Sequence, residues 1–287
     1  AQVRTARDFG LDILTVMSDP FRETSAYGAI VVPQEDDLPL CKSRVITDIN
    51  NWQSQLHPFD PVTSHRTGLS IHAIEIYKAQ YADQYMIAGW VEGALAEFCD
   101  LAGVSEGMTM LMDNAEKSLK CLNFITDQAI NYANAQLDAG ADIIGIGDSV
   151  ASLIGIKMYR KFAKPFETRI IEAVHKRNGK AKLHICGDIN HMLADMIETG
   201  ADIIDVDYMV DFKQAIQLAK GKCSISGNID PTGIILQGNP ESIAANVRAC
   251  AALADETTLI SSGCEVPKNT PYENLKAIDD TLKAIKP

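Results

Sequence analysis

The sequence predicts an α/β protein, a (β/α)8 barrel of the TIM type, on three observations. Short apolar runs alternate with longer amphipathic stretches along the chain. One αβ joint is repeated. Polar, chemistry-bearing residues gather where the apolar runs end, the rim at which such barrels build their active sites.

The repeat pairs "DAGADIIGIGDS" (138–149) with "ETGADIIDVDYM" (198–209), which share Gly-Ala-Asp-Ile-Ile. A helix ending at Gly140 or Gly200 uses glycine for a left-handed cap, and a short apolar strand follows at once. The strands are read in order as "LDILTVMSD" (11–19), "YMIAGWVEG" (85–93), "ADIIGIGDS" (141–149), "AKLHICGD" (181–188), "ADIIDVDY" (201–208), "KCSISGNID" (222–230) and "TTLISSGCE" (257–265). Between them, Leu119, Leu122, Ile125, Ala129, Ala133 and Leu137 recur at helical spacing within 114–140. Helices are also expected over 159–179 and 239–255, the latter with Asn239 as N-cap and Pro240 at its first position.

The runs end on Asp19, Glu92, Asp148, His184 with Cys186, Asp207, Asn228 with Asp230, and Cys264. An open doubly wound sheet would gather its chemistry at one switch point and usually carry a glycine-rich phosphate loop. The sequence has no such loop. Seven strands are one short of a closed barrel. The first strand is expected to precede Ala1, which is not a methionine, and 27–52 is read as a hairpin insertion made of "AIVVP" and "SRVIT". No low-complexity linker divides the chain, so residues 1–287 are expected to form a single domain.

A net charge of −12 disfavours a nucleic-acid partner. No apolar run reaches the roughly 18 residues of a membrane span. The cysteines Cys41, Cys99, Cys121, Cys186, Cys223, Cys250 and Cys264 are scattered rather than set at disulfide-scaffold spacing, so a reducing, cytoplasmic location is expected.

In "LHICGD" (183–188) strand alternation points His184 and Cys186 to one face and Leu183 and Ile185 to the other. By itself His-x-Cys is more often a packed pair than a metal site. A catalytic zinc takes three protein ligands and keeps an open position. Cys264, after Gly263 at the end of the last strand, is the natural third ligand. Cys223 begins a strand and belongs to the opposite end, and His191 is placed on the following helix in solvent. Asp148 doubles as a cap for a helix starting near Ser149, and Asp230, before Pro231, as a turn or cap residue. Glu92 and Asp207 are open to pairing with a lysine or arginine.

The segments "LHICGD", "GNIDPTGIILQGNPESI" and "SSGCEVPKNTPYENLKAI" resemble the uroporphyrinogen decarboxylase superfamily of (β/α)8 barrels. Within it they are most similar to the methylcobamide:coenzyme M methyltransferase branch. "WVEGALAEFCDLAGV" and "YANAQLDAGADIIGIGDSVAS" extend the likeness through the middle of the chain. The resemblance implies a zinc site of His184, Cys186 and Cys264. It also implies methyl transfer from a methyl-corrinoid, carried by a partner corrinoid protein, to a small thiol such as coenzyme M. Asp19, Glu92, Asp148 and Asp207 would line the pocket. The rival is uroporphyrinogen decarboxylase itself, a cofactor-free tetrapyrrole decarboxylase of porphyrin biosynthesis. Asp19 in "VMSD" matches its aspartate segment. However, the arginine-rich "RQAGR"-like segment is absent, and Cys264 stands where the decarboxylase has histidine. A tetrapyrrole-binding module with a structural zinc is the non-enzymatic alternative, and it would need a fourth ligand from Asp207 or Glu265.

Overall fold

The computed structural model describes every residue except Ser18, Asp36, Lys286 and Pro287. The described strands are β1 (Ile13–Thr15), β2 (Val31–Val32), β3 (Leu40–Cys41), β4 (Met86–Glu92), β5 (Ile143–Gly147), β6 (Lys180–Ile185), β7 (Ile203–Val206), β8 (Ser224–Ile229) and β9 (Thr258–Ser262). Each of the seven expected strands is present, six of them within the stretch read for them and β6 starting one residue earlier, at Lys180. They alternate with helices, as a TIM-type α/β chain requires, while β2 and β3 form a separate hairpin. The chain divides into two compact units, 15–181 and a second made of 1–14 with 182–287.

In the unit 15–181, β4 and β5 pair in parallel, with Ala88 opposite Ile143 and Glu92 opposite Gly147. Just past β1, the Val16 N–H donates to Ala88 O at 3.1 Å. The helix Ala115–Asp138 buries Leu122, Ile125, Ala129 and Ala133, the face its periodicity predicts. Leu119 and Leu137, near its two ends, are half-buried. That face also carries Gln136, whose side chain accepts from Trp90 N at 2.8 Å and donates to Trp90 O at 3.0 Å. A helix side chain therefore satisfies backbone groups of β4.

Two expectations in this unit are corrected. The helix expected over 159–179 is two helices, Ile156–Phe162 and Lys164–Lys176, with Ala163 between them at φ −124, ψ −65. Pro165 lacks the N–H that would continue the first helix and crowds the turn before it. The hairpin does form within 27–52, but its second arm is Leu40–Cys41 rather than "SRVIT". Val45 and Ile46 instead donate their N–H groups to Leu101 O.

In the other unit, β6, β7, β8 and β9 pair in parallel in chain order. His184 lies opposite Asp205, Asp205 opposite Ser226, and Ser226 Oγ meets Ser261 Oγ at 3.0 Å. One face of these strands is thus polar. Leu183, Ile185, Ile204, Val206 and Ile225 alternate to the other face and are fully buried or nearly so. Each such side chain contributes about 1.5–3 kcal/mol on burial. Gly200 has φ +86, the left-handed value expected of a helix end. Asn239 caps the helix Pro240–Leu253 in a reciprocal box with Ser242, and Asp230 accepts from Thr232 N and Gly233 N. His191 is exposed, but it sits in the turn before the helix Leu193–Ile197 rather than on it.

Candidate metal centre

β6 ends at Ile185, so its last inward residue, His184, and the first residue beyond it, Cys186, project the same way, as alternation requires. His184 Nε2 lies 3.1 Å from Cys186 Sγ and 3.7 Å from Cys264 Sγ, and the two sulfurs are 3.5 Å apart. Among the described residues, these three form the one group of His, Cys, Asp or Glu side chains able to converge on an ion.

Cys264 reaches the others because Gly263 precedes it. A Cβ on Gly263 would lie 2.5 Å from Tyr208 N and 3.0 Å from the Asp207 carbonyl carbon. The missing side chain lets the segment after β9 rest directly on the segment after β7. The Gly263 N–H donates to Ile229 O at 2.8 Å, and Ser262 Oγ donates to Cys264 O at 2.7 Å, fixing the approach.

The protonation of the trio follows from its contacts. Donation from Cys186, then from His184, pulls the Cys264 thiol down to about 4. The same hydrogen bond to Cys264, with burial second, pushes Cys186 up, so the proton shared by the sulfurs resides on Cys186. Burial works against a charged His184, but the bond to Cys264 and the Asp205 carboxylate outweigh it and raise its pKa. The trio therefore already holds one thiolate.

The donor set fits zinc. Zn–S distances of about 2.3 Å and Zn–N distances of about 2.0–2.1 Å in a tetrahedron separate ligand atoms by roughly 3.5–3.8 Å. Two zinc-bound sulfurs stand roughly 3.8 Å apart and a sulfur and nitrogen roughly 3.5–3.6 Å, so the observed 3.5 Å between the sulfurs and 3.7 and 3.1 Å from His184 Nε2 need shifts of only a few tenths of an ångström. Soft sulfur and imidazole donors also select zinc over the hard cations. Asp207 is not among the converging donors. Its carboxylate accepts from Gly187 N and from Tyr208 N, both at 2.7 Å, and pins the two loops that flank the trio.

The other acids read from the sequence lie in the unit 15–181. Asp19 accepts from Phe21 N at 3.0 Å and forms a two-pronged ion pair with the Arg66 guanidinium. Glu92 accepts from Trp90 Nε1 at 3.0 Å and faces the fully buried Arg22 at 3.7 Å. The pairing with a cation that the sequence left open for Glu92 is made by Arg22. Burial, then repulsion from Glu23, pushes the Glu92 carboxyl well up. Asp148 stands at the start of the short helix Ser149–Leu153 without capping it through its side chain. Its Oδ1 instead accepts from Ala96 N at 2.9 Å, capping the helix Ala94–Ala102 from β5. The capping expectation is corrected in its target because the buried carboxylate meets another helix's free N–H groups.

Burial raises Asp148 to about 7, and raises Glu167, its hydrogen-bonded neighbour, well above the usual range. Tyr159 OH donates to Glu167 Oε2 at 2.6 Å. Sequence reading missed Glu167, Tyr159 and Arg66, whose roles depend on distant partners. It also missed Asp205, for which a signal existed: an acid within the apolar strand "IIDV".

The uroporphyrinogen decarboxylase (URO-D) family pattern matches residues 1–285. The methylcobamide:CoM methyltransferase MtbA of Methanosarcina acetivorans is 32% identical over 223 residues, 77% of this chain and 65% of that protein. MtaA of Methanosarcina barkeri is 30% identical over 224 residues, again 77% and 65%. A uroporphyrinogen decarboxylase of Chlorobaculum parvum is 30% identical over 246 residues, 82% of this chain and 67% of that one. The chain thus spans a little under two thirds of the length of the methyltransferases it matches. A solved methyltransferase from Methanosarcina mazei superposes with TM-score 0.90 at 23% identity, covering 99% of this chain and 83% of its own. A B12-independent methionine synthase from Shewanella sp. W3-18-1 gives TM-score 0.65 at 13% identity over 99% and 86%. At these identities the structural matches speak to fold alone. The family pattern, running along almost the whole chain, establishes that this protein belongs to the uroporphyrinogen decarboxylase (URO-D) family.

Proposed function

We propose that the chain is the zinc-binding part of a methyltransferase that moves a methyl group from a methyl-corrinoid, carried by a partner corrinoid protein, to a small thiol such as coenzyme M. One observation carries the reading: the convergence of His184, Cys186 and Cys264, two soft sulfurs and an imidazole with no fourth protein donor among the described residues. Structural zinc sites are closed by four protein ligands, whereas catalytic ones leave a position open. The methylcobamide:CoM methyltransferase relatives support the same direction.

In this reading His184, Cys186 and Cys264 hold the metal. Bound zinc supplies a Lewis acid that lowers a thiol's pKa, so that a thiolate nucleophile exists near neutral pH. Asp207 keeps the loops at Gly187 and Tyr208 in place. Tyr208 and Met209, both exposed, offer an apolar surface beside the trio. The protein's contribution is to hold thiol and methyl group in line, since that displacement requires no protein acid. Asp19, Glu92 and Asp148, in the unit 15–181, are held by Arg66, by Trp90 and by the Ala96 N–H, and serve that unit's scaffold. Seven cysteines without a disulfide suit the reducing, cytoplasmic location of this reading. No helix among the described residues is long and apolar enough to cross a membrane.

The test is metal content of the gently purified, reduced protein, followed by methylcobalamin with a panel of thiols. About one zinc per chain, removed by chelator, with thiol methylation that disappears alongside it, is the expected result. Metal-free protein that converts uroporphyrinogen to coproporphyrinogen would overturn the reading in favour of the decarboxylase activity named for the Chlorobaculum relative.

A further inference from the structure

We propose that Asp205, clamped by Lys182, is a positioning residue for the metal ligand His184, setting its tautomer and adding negative charge behind it. The proposal rests on the zinc reading above and assigns work to a strand pair outside the donor trio.

The geometry begins with register. His184 on β6 lies directly opposite Asp205 on β7, so their side chains share the polar face. His184 Nδ1 is hydrogen-bonded to the Asp205 backbone oxygen at 3.1 Å and lies 3.4 Å from the carboxylate Oδ2 of the same residue, an ion-pair distance. With Nδ1 held toward Asp205, Nε2 is the ring nitrogen that faces Cys186 and Cys264, and it is the one that would present its lone pair to a bound metal once its proton is displaced. The carboxylate is held in turn. Lys182, two residues before His184 and on the same face, places Nζ 2.8 Å from Asp205 Oδ2. One strand therefore carries both the ligand and the clamp on the ligand's support. The pair is largely removed from solvent, with Asp205 15% and Lys182 26% exposed, so its charge is less screened than on an open surface.

A backbone oxygen alone would fix the tautomer, and any residue at this position supplies one. The carboxylate adds charge. A carboxylate behind a ligating imidazole makes the ring a stronger donor, and loss of such outer partners commonly weakens metal binding about 10–100-fold. Asp205→Asn keeps the size and the backbone oxygen while removing the charge. Lys182→Met keeps Asp205 and removes its anchor.

The experiment is zinc competition against a chromophoric chelator, on the full chain, for wild type, D205N, K182M and H184A. It is paired with visible spectra of the cobalt(II)-loaded proteins. D205N is expected to hold zinc about 10–100-fold more weakly and to shift the cobalt spectrum. K182M should lie between it and wild type, and H184A should lose the metal. A purely structural role for Asp205 would lower the unfolding midpoint and leave the cobalt spectrum of the loaded protein unmoved. D205N and K182M that bind zinc as tightly as wild type, while H184A does not, would overturn the proposal and leave the metal reading standing. H184A that keeps its zinc would overturn both.

Discussion

In the unit that carries β6 to β9, a buried histidine and two half-buried cysteines face one another, and no fourth donor among the described residues completes them. In the unit 15–181 Asp19, Glu92, Asp148 and Glu167 are more deeply buried and each has a partner. Asp19 is taken by Arg66, Glu92 by Trp90 and Arg22, Asp148 by a helix N-terminus and Glu167 by Tyr159. Both regions shift the ionisation of their groups strongly. In the first, mutual hydrogen bonds create a thiolate. In the second, burial keeps protons on carboxyls. A perturbed group therefore marks a metal-binding or reactive centre only where its donors are left incomplete.

The sharpest way to break that contrast is Cys264→Ala. It should remove zinc from the protein and thiol alkylation with it, a loss beyond the 10–100-fold scale of about one outer-shell contact. Elemental analysis and a methylation assay check both, and retention of both ends the three-ligand view. Asp148→Ala should act in the opposite manner. Uncapping the helix Ala94–Ala102 and stranding Glu167 should cost about 1–3 kcal/mol in urea unfolding, with zinc content unchanged. Gly263→Ala tests the boundary between the two behaviours. Its Cβ would press on the Tyr208 backbone, so about 1 kcal/mol of stability and a measurable part of the zinc affinity should go together.

The smallest effect is in pH dependence. Asp148 and Glu167 are both raised, so the folded state binds more protons than the unfolded chain. The contribution of Asp148 to stability is complete below the unfolded carboxyl value of about 4 and is lost as pH rises through about 7, and that of Glu167 is lost in the same direction. Glu167→Gln mimics the protonated partner and should flatten that slope relative to wild type. Urea midpoints at about pH 5.5 and about pH 8.5 measure it, and parallel slopes would remove the pair from the account.

Strand positions and the trio were legible because both depend on local pattern. Period-two alternation sets His184 beside Cys186, and a strand end followed by Gly263 brings Cys264 into view. The repeat at Gly140 and Gly200 announced the αβ joints, and both glycines take the positive φ expected of them. What stayed hidden depends on register and long-range contact. Asp205 acquires meaning only when His184 is known to lie opposite it. Asp148 reads locally as a cap for the next helix, and only tertiary packing sends its carboxylate to Ala96. The hairpin's second arm was misplaced because "SRVIT" has the stronger β-propensity, yet its Val45 and Ile46 are used against Leu101.

The 3.5 Å between the Cys186 and Cys264 sulfurs has a consequence for oxidation. A disulfide needs about 2.05 Å, so a modest closure would join them. One of the two is already a thiolate, the form that peroxide attacks. Hydrogen peroxide would convert that thiolate to a sulfenic acid, and the neighbouring thiol would displace water to form the bond. Metal-free protein exposed to peroxide should therefore lose these two thiols together and recover both with dithiothreitol. Zinc-loaded protein, its sulfurs occupied, should lose neither, and thiol titration of the two forms reads the difference. The same closeness that readies the chain for a soft metal makes its unloaded form sensitive to oxidant.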